Sequence, residues 1–486
     1  MKYLARAAMP DLETLPYHVA SRRLLPWLVA VAFFMESLDT TILNTAAPVI
    51  AGALKVAALS MKSVLASYTL SLAVFIPISG WMADRFGTRR VFASAIGLFT
   101  LGSFLCGLSS NIHVLVACRI LQGCGGAMMV PVGRLTLVRT FAKSELLRAM
   151  SFVAIPSLVA PMLGPVAGGF IVGYFDWRVI FYLNIPIGLI GLVMVYLHLP
   201  DYRAEHVHAL DVPGLALFGS GVALLSYVLE VFGEHTLSGI ELLGLLALSA
   251  ALLTGYGFRA GRTDFPLLRL SLFRTRTFRA AVSGSFFTRL GIGGIPFLLP
   301  LLYQVGLGFT PIQSGLLLMP QAIGALVMKL TMTRILARVG YRGVLISNTA
   351  ILGLLILLFA TIGANTPVWL IALQAFGFGF FTSLQYSSMN TLVYADITAD
   401  QVSGASSIAS TMQQMSISFG VATASLATAF FIPDRFHTNA PQMIHGVHQA
   451  FLVLGALTVL STIVFRELKS GDGDDVSQHE VLPQHA

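Results

Sequence analysis

The chain has 486 residues, of which 56% are hydrophobic and 11% are charged, and its mean hydropathy is +0.80. A water-soluble domain carries about 25% charged residues, so this chain has too little charge to cover a globule in water. The composition excludes a soluble protein and indicates that lipid surrounds most of its surface.

Hydrophobic residues occur in runs of about 18 to 24, the length of an α-helix that crosses a hydrocarbon core of about 30 Å. The runs lack the alternation of barrel strands, and their small residues favour close helix packing. We therefore predict an all-α polytopic membrane protein. Its transmembrane helices, about 14 in number, are predicted near residues 27–50, 62–82, 92–109, 113–133, 150–173, 178–199, 211–232, 240–258, 280–303, 314–335, 343–363, 367–390, 406–431 and 447–465.

The predicted organisation is two six-helix bundles with two extra linker helices between them. Predicted helices 7 and 8 hold almost no polar residue in their interiors, and without them six helices remain on each side, as in carriers whose two related halves enclose a central site. The predicted segments are a cytoplasmic N-terminal tail (1–25), an N-terminal bundle (26–200), two linker helices (210–258), a basic cytoplasmic loop (259–279), a C-terminal bundle (280–466) and a disordered cytoplasmic tail (467–486).

The net charge of +8 comes mainly from arginines that concentrate in alternate connections between the predicted helices. This asymmetry follows the positive-inside rule and predicts a multi-pass protein of a bacterial inner membrane with both termini in the cytoplasm, without a nucleic-acid partner. The first apolar run contains Glu36 and Asp39 and is expected to stay as helix 1 instead of being cleaved. Cys106, Cys118 and Cys124 lie in apolar runs and suggest core residues, not disulfides or a metal site.

Four charged residues stand out inside the predicted helices: Glu36, Asp39, Arg119 and Arg289. A charge at the bilayer centre costs at least about 2.5–3.5 kcal/mol, so each is a candidate for function. Counting about 1.5 Å per residue from the predicted helix ends places all four in one slab near mid-membrane. Lys329 lies nearer the inner end of predicted helix 10 and is expected to snorkel to the surface.

Acids and bases at one depth suggest proton coupling. Removal from water favours the neutral form of a carboxyl group, whereas a nearby guanidinium favours the charged form, so movement of either group can switch protonation. We predict that Glu36, Asp39, Arg119 and Arg289 couple transport to protons, with Arg289 facing the helix 1 acids across the two bundles. The alternative is a permanent ion pair that only fixes helix packing.

Residues 80–90 read G-W-M-A-D-R-F-G-T-R-R, between predicted helices 2 and 3. Gly80 is expected to permit close helix approach, and Asp84 to pair with a helix N-terminus or with Arg89 in contacts that break as the halves rock. The stretch resembles the signature loop of the major facilitator superfamily, which implies a conformational latch; a solvated charged turn is the alternative. The latch residues are Gly80, Asp84, Arg85, Gly87, Arg89 and Arg90.

Four further stretches resemble the fourteen-helix drug/proton antiporter branch of that superfamily. L-D-T-T-I-L-N-T-A-A-P at 38–48 resembles its acidic first-helix motif, and R-I-L-Q-G-C-G-G at 119–126 resembles the helix 4 motif whose arginine, here Arg119, is linked to proton coupling. A-P-M-L-G-P-V-A-G-G at 160–169 resembles the antiporter motif, and W-R-V-I-F-Y-L-N-I-P-I-G at 177–188 the helix 6 signature. The antiporter-motif residues are Gly164, Pro165, Gly168 and Gly169.

Some features depart from the antiporter pattern, and two other stretches indicate a subgroup of the family. The second-bundle counterpart of the latch, at 334–342, keeps cations but lacks the acid, and Glu36 is an extra carboxylate that puts a one-proton stoichiometry in doubt. The runs at 273–278 and 387–392 resemble a multidrug-exporter-like subgroup, which favours export.

Polar and aromatic groups in the helices suit a cavity for an amphiphilic ligand, although hydrogen bonds between helices are the alternative for any one of them. They are Asn44, Tyr68, Gln122, Gln304, Gln321, Gln385, Asn390, Gln413 and Gln414.

The leading hypothesis is a secondary active transporter that couples protons to the efflux of small amphiphilic or drug-like molecules by alternating access. A carrier for one metabolite, such as an organic acid or amino-acid derivative, is the alternative, in which Arg119 and Arg289 bind substrate carboxylates. A membrane scaffold or sensor is a more remote one. Since no nucleophile–base arrangement and no phosphate-binding loop is found, neither an enzyme nor an ATP-driven pump is expected. Expected partners are the substrate, protons and membrane lipid, with no cofactor or metal and with function as a monomer.

Overall fold

A computed structural model describes residues 17–141, 143–231, 237–398, 401–432, 439–469 and 471–473. Within these residues the fold is helical throughout, which confirms the predicted all-α class. The helices are α1 (Tyr17–Ala53), α2 (Lys62–Phe86), α3 (Thr88–Leu108), α4 (Ile112–Thr140), α5 (Lys143–Tyr174), α6 (Val179–Tyr182), α7 (Asn184–His198), α8 (Val212–Val231), α9 (Gly239–Ala260), α10 (Arg276–Ile292), α11 (Ile295–Leu301), α12 (Pro311–Phe359), α13 (Val368–Leu392), α14 (Val402–Phe430) and α15 (Ala440–Ser461).

Among the described residues, eleven helices are long and apolar enough to cross a membrane. One of them, α12, has 49 residues and is interrupted at Gly340, whose φ of 72° is not helical, so it consists of two helices in succession. The long helices α5 and α14 fall outside the eleven. The number of about fourteen crossings stays a prediction.

Local sequence explains where several helices begin. α12 starts with a capping box in which Thr310 and Gln313 satisfy each other's backbone N–H groups, followed by Pro311 at the first helical position. α15 starts in the same way with Asn439 and Gln442. These caps remove unsatisfied donors that would be costly at a membrane boundary.

Helices α1–α7 pack mainly on one another, as do α10–α15, and the two sets meet through α2 with α14 and α5 with α12. Of the predicted linker helices, α8 contacts both α2 and α14, while α9 packs on α8 and is largely exposed. α8 therefore spans the seam between the bundles from outside. The domain boundaries at 26–200 and 280–466 stay predictions.

Hydrogen bonds described between the bundles lie towards one end of the helices. We call the end of the helices that carries Gly87 the latch face and the opposite end the far face. Three hydrogen bonds described between the bundles lie in the half of the helices towards the far face. They are Gln304 Nε2 to Thr45 O at 2.8 Å, Ser418 Oγ to Ala66 O at 3.3 Å and Ser425 Oγ to Leu59 O at 3.5 Å.

The structure describes parts of both predicted tails. Because α1 begins at Tyr17, the predicted N-terminal tail is helical over its described residues. The predicted disordered tail at 467–486 is packed where it is described: Asp472 accepts a 2.5 Å hydrogen bond from Arg276, and Gly473 lies against the Tyr341 ring. A charge-assisted contact at the start of α10 orders a segment whose composition alone suggested disorder.

Candidate functional site

The core of the N-terminal bundle contains a buried ion pair. Arg119 on α4 donates through Nη1 to Asp39 Oδ2 on α1 at 2.5 Å, and each side chain is only 1% exposed. The structure thus brings together two of the four charges predicted for proton coupling. Removing one partner of such a pair costs about 3–5 kcal/mol because the other charge stays buried.

Polar side chains from two further helices complete the cluster. Gln122 Nε2 and Asn184 Nδ2 each donate to Asp39 Oδ1 at 2.9 Å, and both also donate to Ser103 Oγ, at 2.7 and 3.2 Å. Gln122 Oε1 accepts from Arg119 at 2.7 Å. The carboxylate of Asp39 is therefore bound by a cation and two amides from α4 and α7 while it is almost completely buried.

Glycines of α4 create the room for this cluster. A Cβ on Gly123 would lie 2.6 Å from Ser71 Cβ of α2, and one on Gly125 would lie 2.6 Å from the backbone nitrogen of Phe99 on α3. Because both neighbouring helices approach so closely, the Arg119 guanidinium lies 4.2 Å from the centre of the Tyr68 ring, in a cation–π contact. The G-C-G-G run at 123–126 is thus explained by packing.

Glu36 lies one turn from Asp39, towards the latch face, and is partly exposed. The cation that acts on it electrostatically is Arg134, farther along α4. The guanidinium of Arg134 also lies 5.7 Å from the Phe33 ring. The extra acid therefore has its own nearby cation within the same bundle.

Arg289 does not face the helix 1 acids in this conformation. Its side chain is buried, its Nε donates to Ser285 Oγ at 3.0 Å, and its guanidinium lies 3.6 Å from the centre of the Tyr386 ring. The predicted pairing across the bundles rested on matched depth. Depth along a helix does not specify which way the residue points, and α10 directs Arg289 towards α13.

The antiporter-motif glycines bring α5 against α1. A Cβ on Gly164 would lie 2.1 Å from Thr41 Oγ1, and one on Gly168 would lie 2.6 Å from the carbonyl oxygen of Ile42. These residues belong to the same stretch of α1 that carries Asp39. The motif thus determines how closely the acid-bearing helix is held.

The next residues of the motif bring α5 against the other bundle. A Cβ on Gly169 would lie 2.3 Å from the carbonyl oxygen of Pro311, and a Cβ on Gly315 of α12 would lie 2.3 Å from that of Pro165. Reciprocal glycine-to-backbone contacts of this kind require both glycines. They form part of the closure at the far face.

In the latch loop, Asp84 pairs with a residue that the motif does not contain. Arg139 of α4 donates to Asp84 Oδ1 at 2.5 Å, with the two side chains 28% and 35% exposed. The expected partner, Arg89, instead uses its backbone N–H to donate to Asp201 Oδ1 at 3.2 Å. α2 ends facing the last turn of α4, so Arg139 is within reach of the acid.

Gly87 has a φ of 96°, a conformation that favours glycine, and a Cβ there would collide with the Asp201 carboxylate. Thr88 exchanges hydrogen bonds with Tyr202, and its Oγ1 donates to Pro200 O at 3.1 Å. The segment after α7 is thereby fastened to the latch loop.

Gly80 was expected to permit close helix approach, yet a Cβ there would meet nothing within 4 Å. Arg85 and Arg90 are exposed. This part of α2 lies towards the latch face. The space beside Gly80 is open in this conformation.

Replacing Asp84 by asparagine is expected to slow turnover several-fold while leaving substrate affinity unchanged, because the pair lies at the latch face, far from a midplane site. Its loss should cost only about 0.2–1 kcal/mol of stability, as for other exposed pairs. Stopped-flow transport and equilibrium binding would separate the two effects, and the Asp84→Asn/Arg139→Gln double variant should be less impaired than the single effects predict. A large loss of affinity at unchanged rate would contradict the latch assignment.

The predicted cavity residues do not form one group. Tyr68 and Gln122 belong to the buried cluster, whereas Gln385 donates to Thr349 and accepts from Asn348 within the C-terminal bundle. Gln304, in a π-helical turn at Leu302–Gly306, bonds across the closure. The remaining members are partly or fully exposed: Asn44, Gln321, Asn390, Gln413 and Gln414.

Comparison with known proteins agrees with this architecture. The family model described as Major Facilitator Superfamily matches residues 29–421 and, in a second match, 281–480. The chain belongs to the major facilitator superfamily. It is thus a multi-pass membrane transporter and not an enzyme. MdtD of Serratia proteamaculans (strain 568), a protein provisionally named as a multidrug resistance protein, is 41% identical over 90% of each chain.

The MdtD protein of Salmonella typhi, similarly named, is 39% identical over 94% of this chain and 96% of its own. Among solved structures, the POT family transporter PepTSo matches with a TM-score of 0.67 and 14% identity, covering 94% of this chain and 99% of that one. A bacterial homologue of the lysosomal transporter Spinster matches with a TM-score of 0.63 and 13% identity over the same shares. These structures support the shared fold.

Sequence reasoning missed several residues of these sites. Asn184 was present in the quoted helix 6 signature without a role, and Ser103 carried no signal. Arg134, Arg139 and Asp201 looked like ordinary charges near helix ends. Only their tertiary neighbours distinguish them.

Proposed function

We propose that this transporter exports small amphiphilic molecules in exchange for protons. The observation that carries the proposal is the buried Asp39–Arg119 pair with its two amides. In the described conformation Arg119 donates directly to the Asp39 carboxylate. A movement of α4 relative to α1 that separates the pair would leave Asp39 buried without its cation and would favour proton uptake.

In the proposed mechanism, the central cavity opens alternately at the latch face and at the far face. In the proposal the latch face is cytoplasmic, and the described conformation, closed at the far face, accepts substrate from inside. Glu36, partly exposed and one turn nearer the latch face than Asp39, would relay protons to the cytoplasm. One proton that crosses a potential of 100 mV supplies about 2.3 kcal/mol, which would drive substrate outwards.

The MdtD relatives are provisionally named as multidrug resistance proteins, and this supports the proposal that the chain exports drug-like molecules. We further propose a bacterial inner-membrane location, both termini in the cytoplasm and function as a monomer. The basic residues of the connections at the latch face support this orientation.

Transport in proteoliposomes with an acidic interior tests the proposal. Two permanently charged aromatic probes of matched size, 2-naphthalenesulfonate and naphthylmethyl-trimethylammonium, would be offered outside. Accumulation of either probe that collapses when a protonophore removes the gradient supports proton-coupled antiport. Absence of gradient-driven accumulation of both, with purified folded protein, would refute it.

A further inference from the structure

The C-terminal bundle carries cations in its membrane helices but no acid. Between Arg276 and Asp396 the sequence contains no aspartate or glutamate, yet α10 carries Arg289 and α12 carries Lys329. In the N-terminal bundle, by contrast, the buried Arg119 is neutralised by Asp39. A buried cation without a counter-charge is unfavourable. Arg289 is such a cation within the described residues, and the described contact of the exposed Lys329 is also with an uncharged group.

Arg289 is 2% exposed, and its described contacts are the Ser285 hydroxyl and the Tyr386 ring, both uncharged. A guanidinium has five N–H donors in a planar fork that matches a carboxylate or another oxyanion. The aromatic ring holds the guanidinium from one side. The residue is thus oriented but not neutralised.

Lys329 donates to the Ser387 hydroxyl on α13, so its amino group points to the neighbouring helix and does not snorkel towards the membrane surface as expected. Lys329 is exposed, although the helix that carries it, α12, also contacts α5 of the N-terminal bundle. It follows Gly315, which packs on α5, by fourteen residues, or about four helical turns, and so falls on nearly the same face of α12. Lys329 therefore faces the gap between the bundles.

The two cations flank consecutive residues of one helix. Arg289 approaches Tyr386 from α10, and Lys329 approaches Ser387 from α12. From this juxtaposition we infer that Arg289 and Lys329 form an anion-binding subsite on the C-terminal wall of the transport cavity. Its ligand is the carboxylate, sulfonate or similar oxyanion of the transported molecule, and the Tyr386 ring contacts the apolar part beside it.

This inference rests on the proposed transport function and names the substrate class: an amphiphile that carries an anionic group. The N-terminal wall offers the acid Glu36 instead, so a zwitterion with its cationic end towards α1 would suit both walls. A molecule with only a positive charge would face two like charges on α10 and α12.

Equilibrium binding tests the subsite. The purified chain in phosphatidylcholine nanodiscs, which hold no anionic lipid, would be titrated with 2-naphthalenesulfonate and with naphthylmethyl-trimethylammonium. The variants are Arg289→Gln and Lys329→Gln, with Arg289→Lys as the charge-keeping replacement. Arg338→Gln is the matched control, because it removes one exposed cation from the same helix as Lys329 but near the latch face.

The wild type is expected to bind the sulfonate more tightly than the ammonium probe. Each glutamine variant should weaken sulfonate binding by at least about tenfold, as for loss of a charge-assisted hydrogen bond, and leave ammonium binding unchanged or stronger. Arg289→Lys should retain part of the affinity, and Arg338→Gln should bind as the wild type does. Loss of both probes together in a variant, or tighter binding of the ammonium probe by the wild type, would overturn the subsite.

The anion could also come from a lipid headgroup. If phosphatidylglycerol added to the nanodiscs binds at Arg289 and Lys329 and the sulfonate does not, the cavity assignment is refuted. The binding measurement uses no proton gradient, so its result is independent of coupling. A protein that binds the sulfonate through these cations but never accumulates it would refute the proposed antiport and leave the subsite standing.

Discussion

Replacing Asp39 by asparagine is expected to abolish accumulation of substrate against its gradient while exchange of substrate for substrate survives. Asparagine is close in shape but cannot carry a proton. In asparagine, an NH2 group replaces one of the two carboxylate oxygens. This new donor would face either the N–H donors of Gln122 and Asn184 or the N–H donor of Arg119. Proteoliposome uptake with and without a pH gradient, beside counterflow exchange, measures both activities.

The same substitution leaves Arg119 buried without its counter-ion, which should cost about 3–5 kcal/mol of stability. The double variant Asp39→Asn/Arg119→Gln removes both charges and should regain much of that stability without regaining uphill transport. Thermal unfolding in detergent would measure the loss of stability in the single variant and its recovery in the double variant. Proton-driven accumulation at the wild-type level in Asp39→Asn would remove this carboxyl group from the mechanism.

Replacing Gly169 by valine is expected to reduce turnover by at least about tenfold, because the closure at the far face can no longer form. The added Cβ would meet the backbone oxygen of Pro311 at 2.3 Å, and backbone cannot move aside as a flexible side chain can. The conformational equilibrium should then shift towards a state that is open at the far face.

Distances between spin labels at Ala53 and Ala364, in two far-face segments on opposite bundles, would report that shift as a longer mean separation. Gly97→Val is the matched control, since a Cβ at Gly97 on α3 meets nothing within 4 Å. An unchanged distance distribution combined with lost transport would show that the valine damages the fold in another way.

Much of the architecture follows from the sequence because lipid imposes a simple rule. A segment that enters the hydrocarbon core must satisfy its own backbone hydrogen bonds, so apolar runs of sufficient length become helices whatever their neighbours are. The same rule makes Asp39, Arg119 and Arg289 conspicuous, since charges in such runs are costly. The helical class, the latch loop and the candidate charges were therefore predictable.

Partner choice was not predictable, because it depends on how each helix is rotated and which helix packs beside it. Asp39 could have paired with Arg119 or Arg289 by sign and depth. It pairs with Arg119 because α4 packs against α1, whereas Arg289 of α10 is directed towards α13. Asp84 pairs with Arg139 for the same reason, since α2 ends beside the last turn of α4. Hydropathy determines that a charge is buried, whereas only tertiary packing determines which group neutralises it. Arg289 is a buried charge that has no counter-charge among the described residues.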